Sequence, residues 1–121
     1  MIEFARLSPP YSVVMIADIS GGDIPKLARG TEIAASDSCI AIGTLSEIDG
    51  ETEFRLGMRG EVDPGTSPSF LGRIKTPSRK LAIFAVPGEI ILQTQVLQTE
   101  TAIYIWTNRP SEPDQVIVGV E

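Results

Sequence analysis

The chain has 121 residues, 42% of them apolar, with 16 acidic against 10 basic side chains and a net charge of −6. That length suits one domain, able to bury roughly two thirds of the surface its unfolded chain exposes. The charge argues against a general phosphate-backbone binder, which needs an excess of Lys and Arg. Histidine is absent, which removes Ser-His-Asp and Cys-His activation and the commonest zinc and non-haem iron ligand sets.

In chain order, the first predicted strand is Tyr11 to Asp18, entered after Pro9-Pro10. Gly21-Gly22 breaks it, and Asp23 is placed to cap one short helix through Ile24-Pro25-Lys26-Leu27-Ala28-Arg29, stopped by Gly30. A strand over Thr31–Ala35 follows, then the turn cluster Ser36-Asp37-Ser38. Cys39 to Leu45 is apolar on both faces, which predicts a central, buried strand. Asp49-Gly50 signals a hairpin to Glu51–Leu56, where Thr52, Phe54 and Leu56 alternate with charged residues and so face the core. Residues 57–68, with Gly57, Gly60, Gly65, Pro64 and Pro68, read as the longest loop. Strands over Ser69–Thr76, Arg79–Val86, Glu89–Val96, Thr101–Trp106 and Gln115–Val120 complete the series. Pro87-Gly88 joins the third-last pair, and a polar loop spans Asn108 to Pro113.

Eight or nine short strands with regular turn signals and at most one short helix predict an all-β fold. The expected architecture is an antiparallel two-sheet sandwich, or a jelly-roll-like variant, formed by a single domain over residues 1–121. The last strand, Gln115–Val120, is apolar on both faces. It must be central, covered, or paired with a second copy, in which case a homodimer follows.

No apolar run approaches the roughly 20 residues that span a bilayer. The segment Met1-Ile2-Glu3-Phe4-Ala5-Arg6 lacks a basic head followed by an apolar stretch, so no export leader is expected. The one cysteine, Cys39, can form no internal disulfide, which suits a cytoplasmic location. It opens an apolar strand with no cation nearby, the setting of an inert thiol.

Three constellations stand out. Glu47, Asp49, Glu51, Glu53, Glu61 and Asp63 form an acidic segment, but the spacing is not that of an EF-hand, and a solvated tip that guards the strand edge is the plainer reading. Arg73, Lys75, Arg79 and Lys80 gather four of the ten cations. Arg73 and Lys75 share one face by period two, suited to a carboxylate or phosphate or simply to water. Tyr104 and Trp106 share one side of their strand, with Arg109 three residues beyond, and could either anchor an interface or rim the core. Arg73, Lys75, Arg79, Tyr104, Trp106 and Arg109 are therefore the candidate binding residues. No catalytic residue, metal site or cofactor motif is found, since Gly57-Met58-Arg59-Gly60 is neither a P-loop nor a dinucleotide fingerprint.

The layout resembles the competence protein J family, small cytoplasmic β-sandwich proteins that inhibit a DNA-entry nuclease. The resemblance runs through Leu7-Ser8-Pro9-Pro10-Tyr11-Ser12, Leu27-Ala28-Arg29-Gly30, Ile42-Gly43-Thr44, Thr76-Pro77-Ser78-Arg79 and Val116-Ile117-Val118. It implies a binding protein rather than an enzyme and assigns no particular functional residue.

Two function classes remain open. One is a non-enzymatic cytoplasmic domain that binds a protein, such as a nuclease-like partner with a basic surface. The other is a small-molecule or carbohydrate-binding module on a concave sheet face near Tyr104 and Trp106. A carboxylate-pair enzyme ranks third, because it needs two acids facing each other in a cleft. Neither general nucleic-acid binding nor membrane association is expected.

Overall fold

The computed structural model describes residues 2–27 and 32–121. Ten strands among the described residues form two five-stranded sheets. The first sheet runs β1 (Glu3–Leu7), β5 (Thr52–Met58), β10 (Gln115–Val120), β9 (Glu100–Thr107) and β6 (Phe70–Lys75). The second runs β3 (Ile33–Ala35), β4 (Cys39–Gly43), β2 (Val13–Asp18), β7 (Lys80–Ala85) and β8 (Glu89–Gln95). The pairings are antiparallel except one: β10 lies parallel to β5, with Gln115 opposite Glu53 and Val120 opposite Met58.

Period-two alternation explains the two layers. On β2, Val14 and Ile16 enter the central core while Met15 and Ala17 face outward. On β9, Ile103 and Ile105 face the same core while Ala102, Tyr104 and Trp106 take the opposite side. Phe54 and Leu56 of β5 are fully buried in the centre. Burying each such side chain contributes roughly 1.5–3 kcal/mol.

The last strand is central in its sheet, hydrogen-bonded to β5 on one side and β9 on the other. Its outer face is covered by α1 (Arg59–Val62). A Cβ at Gly119 would lie 3.2 Å from Arg59 Cα, Trp106 Cζ3 and Val62 Cγ2, so the missing side chain is what lets α1 sit down on the sheet.

Several expectations are corrected. Asp49-Gly50 does not close a hairpin: β4 is flanked by β3 and β2, β5 by β1 and β10, and the dipeptide joins the two sheets. A type I′ turn needs positive φ at both residues, yet only Gly50 has it, at 141°. The helix expected from Asp23 is not formed in its described part, through Leu27; Ala28, Arg29 and Gly30 lie outside the described residues, as does Thr31 of the next predicted strand. The Asp23 N–H donates to Ser38 Oγ (2.8 Å) and its carbonyl accepts from Ser36 Oγ (2.5 Å), so the β3–β4 turn takes the groups a helix would use. The long loop at 57–68 holds the end of β5 and all of α1. Tyr11 and Ser12 belong to a 3₁₀ turn, Pro10–Ser12, rather than to β2. An unexpected strand, β1, precedes them.

The strand directions divide the connections between two ends. The β1–β2, β4–β5, β7–β8 and β9–β10 loops meet at what we call the upper end, and the β3–β4, β6–β7 and β8–β9 turns at the lower end. Asp18 ties the lower end together. Its carboxylate is fully buried and accepts from the Ser78 N–H (2.9 Å), the Ser20 N–H (3.0 Å) and the Ser20 hydroxyl (2.5 Å). Burial pushes its pKa up, but the bonds from Ser20 and Ser78 outweigh this and hold it below the usual carboxylate value.

Candidate functional site

Strand β9 carries Tyr104 and Trp106 on the outer face of the first sheet, and both are covered. Trp106 is 5% exposed and Tyr104 9%. Val62 of α1 packs against them, and the Trp106 indole N–H donates to the Thr66 carbonyl (2.9 Å). The rings stack, with centroids 6.2 Å apart. The pair is therefore a floor on which residues 59–66 rest, not an open platform for a sugar or a partner.

Arg73 and Lys75 stand on the edge strand β6, on the same outer face. Arg73 lies opposite Ala102, and Leu71 opposite Tyr104. Each cation already has a partner: Arg73 Nε donates to Glu100 Oε1 (2.9 Å) and Lys75 Nζ to Asp37 Oδ2 (3.1 Å). Both pairs are solvent-exposed, where such contacts are worth at most about 1 kcal/mol. Arg79 sits in the β6–β7 turn at φ 55°, its N–H donating to the Thr76 carbonyl. Arg109 is at the other end of the molecule, beyond β9, with Nε donating to the Glu112 carbonyl (2.9 Å). Eight strand residues, roughly 25 Å, separate it from the lower-end cations. The six residues thus form three separate places rather than one site: a lower-end basic edge, a covered aromatic floor and an upper-end loop.

Arg59 is the residue that sequence reasoning passed over. Its guanidinium lies over the Tyr104 ring, bonds the Tyr104 hydroxyl, and pairs with Glu121 at 3.4 Å. Nothing local announces this, because both partners come from the C-terminal third of the chain.

A second feature lies on the outer face of the second sheet. Met15, Ala17, Cys39 and Phe84, with Ile19 and Ile24, line an open, mostly apolar pocket of about 260 Å³. Cys39 is buried at its base, and burial, with the Asp23 charge, pushes its pKa up to about 11. The thiol is therefore protonated and inert at neutral pH.

The acidic segment splits between ends. Glu47, Asp49 and Glu51 belong to the upper β4–β5 loop, Glu53 pairs with Arg6 and Arg55 on the sheet, and Glu61 and Asp63 fall in and after α1. Among the described residues, no group of three or more Cys, Asp or Glu side chains is placed to hold a metal ion. No helix there is long and apolar enough to cross a membrane.

No family model matches the chain, and no curated protein matches it in sequence. Two solved structures match in shape. One is ComJ from Bacillus subtilis, an inhibitor of the DNA-degrading activity of NucA, with a TM-score of 0.65 over 99% of this chain and 97% of that one, at 15% identity. The fold is that of ComJ. The other is the product of crocagin biosynthetic gene J, with a TM-score of 0.52 over 98% and 94% of the two chains, at 11% identity. The resemblance drawn from Leu7–Ser12, Ile42–Thr44 and Val116–Val118 thus holds at the level of the whole sandwich.

Proposed function

We propose that this chain is a non-catalytic domain that works by binding another protein, with inhibition of a nuclease-like enzyme as its specific role. The observation that carries this reading is the near full-length match in shape to an inhibitor of NucA. The covered aromatics support it, since they leave no sugar platform on the outer sheet face. Cytoplasmic residence belongs to the same proposal and suits a chain whose one cysteine can form no internal disulfide. The test is affinity capture from source-cell lysate at low and high salt, then a DNA-cleavage assay of the captured protein. A captured nuclease whose cleavage falls on stoichiometric addition of the chain establishes the role. An empty capture removes it.

The cavity at Met15, Cys39 and Phe84 favours a second reading, in which the chain binds a small apolar molecule. Its size lies just below the range of ordinary ligand pockets, about 300–1,000 Å³. A thermal-shift screen of short-chain acyl and aromatic compounds tests it. Flat melts across the panel would remove this reading and leave the first untouched.

A further inference from the structure

Three loops at the upper end are bonded into one body. The Thr44 N–H donates to the Ser12 carbonyl (2.8 Å), Ser8 Oγ to the Gly50 carbonyl (2.8 Å), and the Leu45 N–H to the Pro113 carbonyl (3.0 Å). Pro9 and Pro10 further restrict the first of these segments, and Pro110 and Pro113 the last. A platform held in this way loses little freedom when something docks on it.

Two large side chains project from that platform into water. Tyr11 is 77% exposed and Ile48 is 89% exposed. Scattered apolar side chains are ordinary on a protein surface; these two stand at the tips of loops fixed to each other. Neither joins any of the buried clusters. Tyr11 is held in the left-handed region at φ 61°, with Ser12 beside it at 57°, a conformation uncommon for non-glycine residues.

The same loops are electrically one-sided. Segments 8–12, 44–51 and 108–114 hold Glu47, Asp49, Glu51, Glu112 and Asp114 against the single cation Arg109. None of the first four is in an ion pair among the described residues. Arg79 and Lys80 lie at the opposite end. The molecule therefore has a negative pole, and that pole carries two of its three most exposed large apolar side chains; the third, Leu97 (84%), stands alone in the β8–β9 turn at the lower end.

The geometry points to the upper end as a docking surface for a protein that presents Lys and Arg side chains around an apolar centre. Tyr11 and Ile48 are the anchors, and Glu47, Asp49, Glu51 and Glu112 form the charged rim. This rests on the protein-binding reading above and adds the face and the chemistry of the partner. A nucleic acid or an anionic lipid surface would be repelled by the rim. A small cation would gain nothing from Tyr11 and Ile48.

Two measurements test the surface. The first needs no partner: a deca-lysine peptide is titrated into the isotope-labelled chain and backbone amide shifts are followed. Shifts confined to residues 8–12, 44–51 and 108–114 support the assignment. Shifts centred elsewhere overturn it. The second uses the protein captured by the wild-type chain, purified and tested against three variants. Tyr11→Ala with Ile48→Ala, and Glu47→Gln with Asp49→Asn and Glu51→Gln, are each expected to weaken binding about tenfold or more. The charge variant should also lose most of the salt dependence. Arg73→Ala with Lys75→Ala at the lower end should bind as wild type. Thermal melts check that each variant is folded, which the exposure of the changed side chains favours. Equal binding by all three variants overturns the surface and leaves the protein-binding reading standing. An empty capture overturns both.

Discussion

Arg59 lies over the ring of Tyr104, its guanidinium carbon 4.1 Å from the ring centroid and its Nη1 3.1 Å from the hydroxyl. One side chain thereby fastens α1 to the middle of the first sheet, and Glu121 closes the arrangement from the end of β10. Removing it should release the only helix that covers this face among the described residues. Arg59→Ala is expected to cost about 1–2 kcal/mol in urea denaturation. Arg59→Lys should recover less than half of that, because an ammonium cannot stack its plane on the ring while bonding the hydroxyl. An Arg59→Lys variant as stable as wild type would show that charge alone matters there.

Asp18 gives the fold a dependence on acid. Its folded pKa lies below the unfolded value of about 3.9. The stability it contributes is therefore complete above that value and is lost as pH falls through the lower, folded one. Asp18→Asn should cost roughly 2–3 kcal/mol at pH 7, since one amide position turns a donor toward N–H and O–H groups that are themselves donors. Urea titrations from pH 7 to pH 2.5 should show the wild type converging on the variant below pH 4. A gap that stays constant with pH would mean that packing, not charge, is what Asp18 supplies.

Thr52 offers a stabilising change. It is fully buried, and its Oγ1 has no hydrogen-bond partner among the described residues. A buried hydroxyl without a partner is costly, and valine has nearly the same shape. Thr52→Val should raise stability by roughly 1 kcal/mol, seen as a higher melting temperature. A fall in melting temperature would reveal a partner for the hydroxyl in solution.

Cys39 should be silent to thiol reagents. With a pKa near 11 and almost no exposure, it should react with a disulfide reagent only in denaturant. The raised folded pKa has the opposite consequence to that of Asp18: the unfolded chain gives up the thiol proton first. Stability from this group is full below the unfolded pKa and declines as pH rises toward 11. Cys39→Ala should flatten that alkaline decline, which melts between pH 8 and pH 11 can read.

The layers of the fold were legible because alternation is local. Val14 and Ile16 against Met15 and Ala17, or Ile103 and Ile105 against Tyr104 and Trp106, announce two faces within a few residues. The pairing of strands was not, and Asp49-Gly50 shows why. The dipeptide reports a sharp turn, but which neighbours flank β4 and β5 is decided by strands far away in sequence. Strand β1 was missed because Glu3 and Arg6 dilute the apolar signal of an edge strand. α1 was missed because a single turn containing Gly60 has no periodicity to read. The candidate residues fared by the same rule: Arg73 and Lys75 share a face as period two requires, whereas the cover over Trp106 and the stacking of Arg59 depend on contacts between residues about 40 positions apart.

The parallel pairing of β10 with β5 sets the order in which this protein can be made. During synthesis β5 emerges early and gains β1 on one side, but the neighbour on its other side is encoded by residues 115–120. Until the ribosome releases that segment, β9 and β5 each keep one hydrogen-bonding edge open toward a gap that only β10 fills. The first sheet therefore forms late, slowed by the long loop that must close. A nascent or truncated chain that lacks β10 exposes two open apolar edges, the form of this protein that chaperones and proteases should recognise.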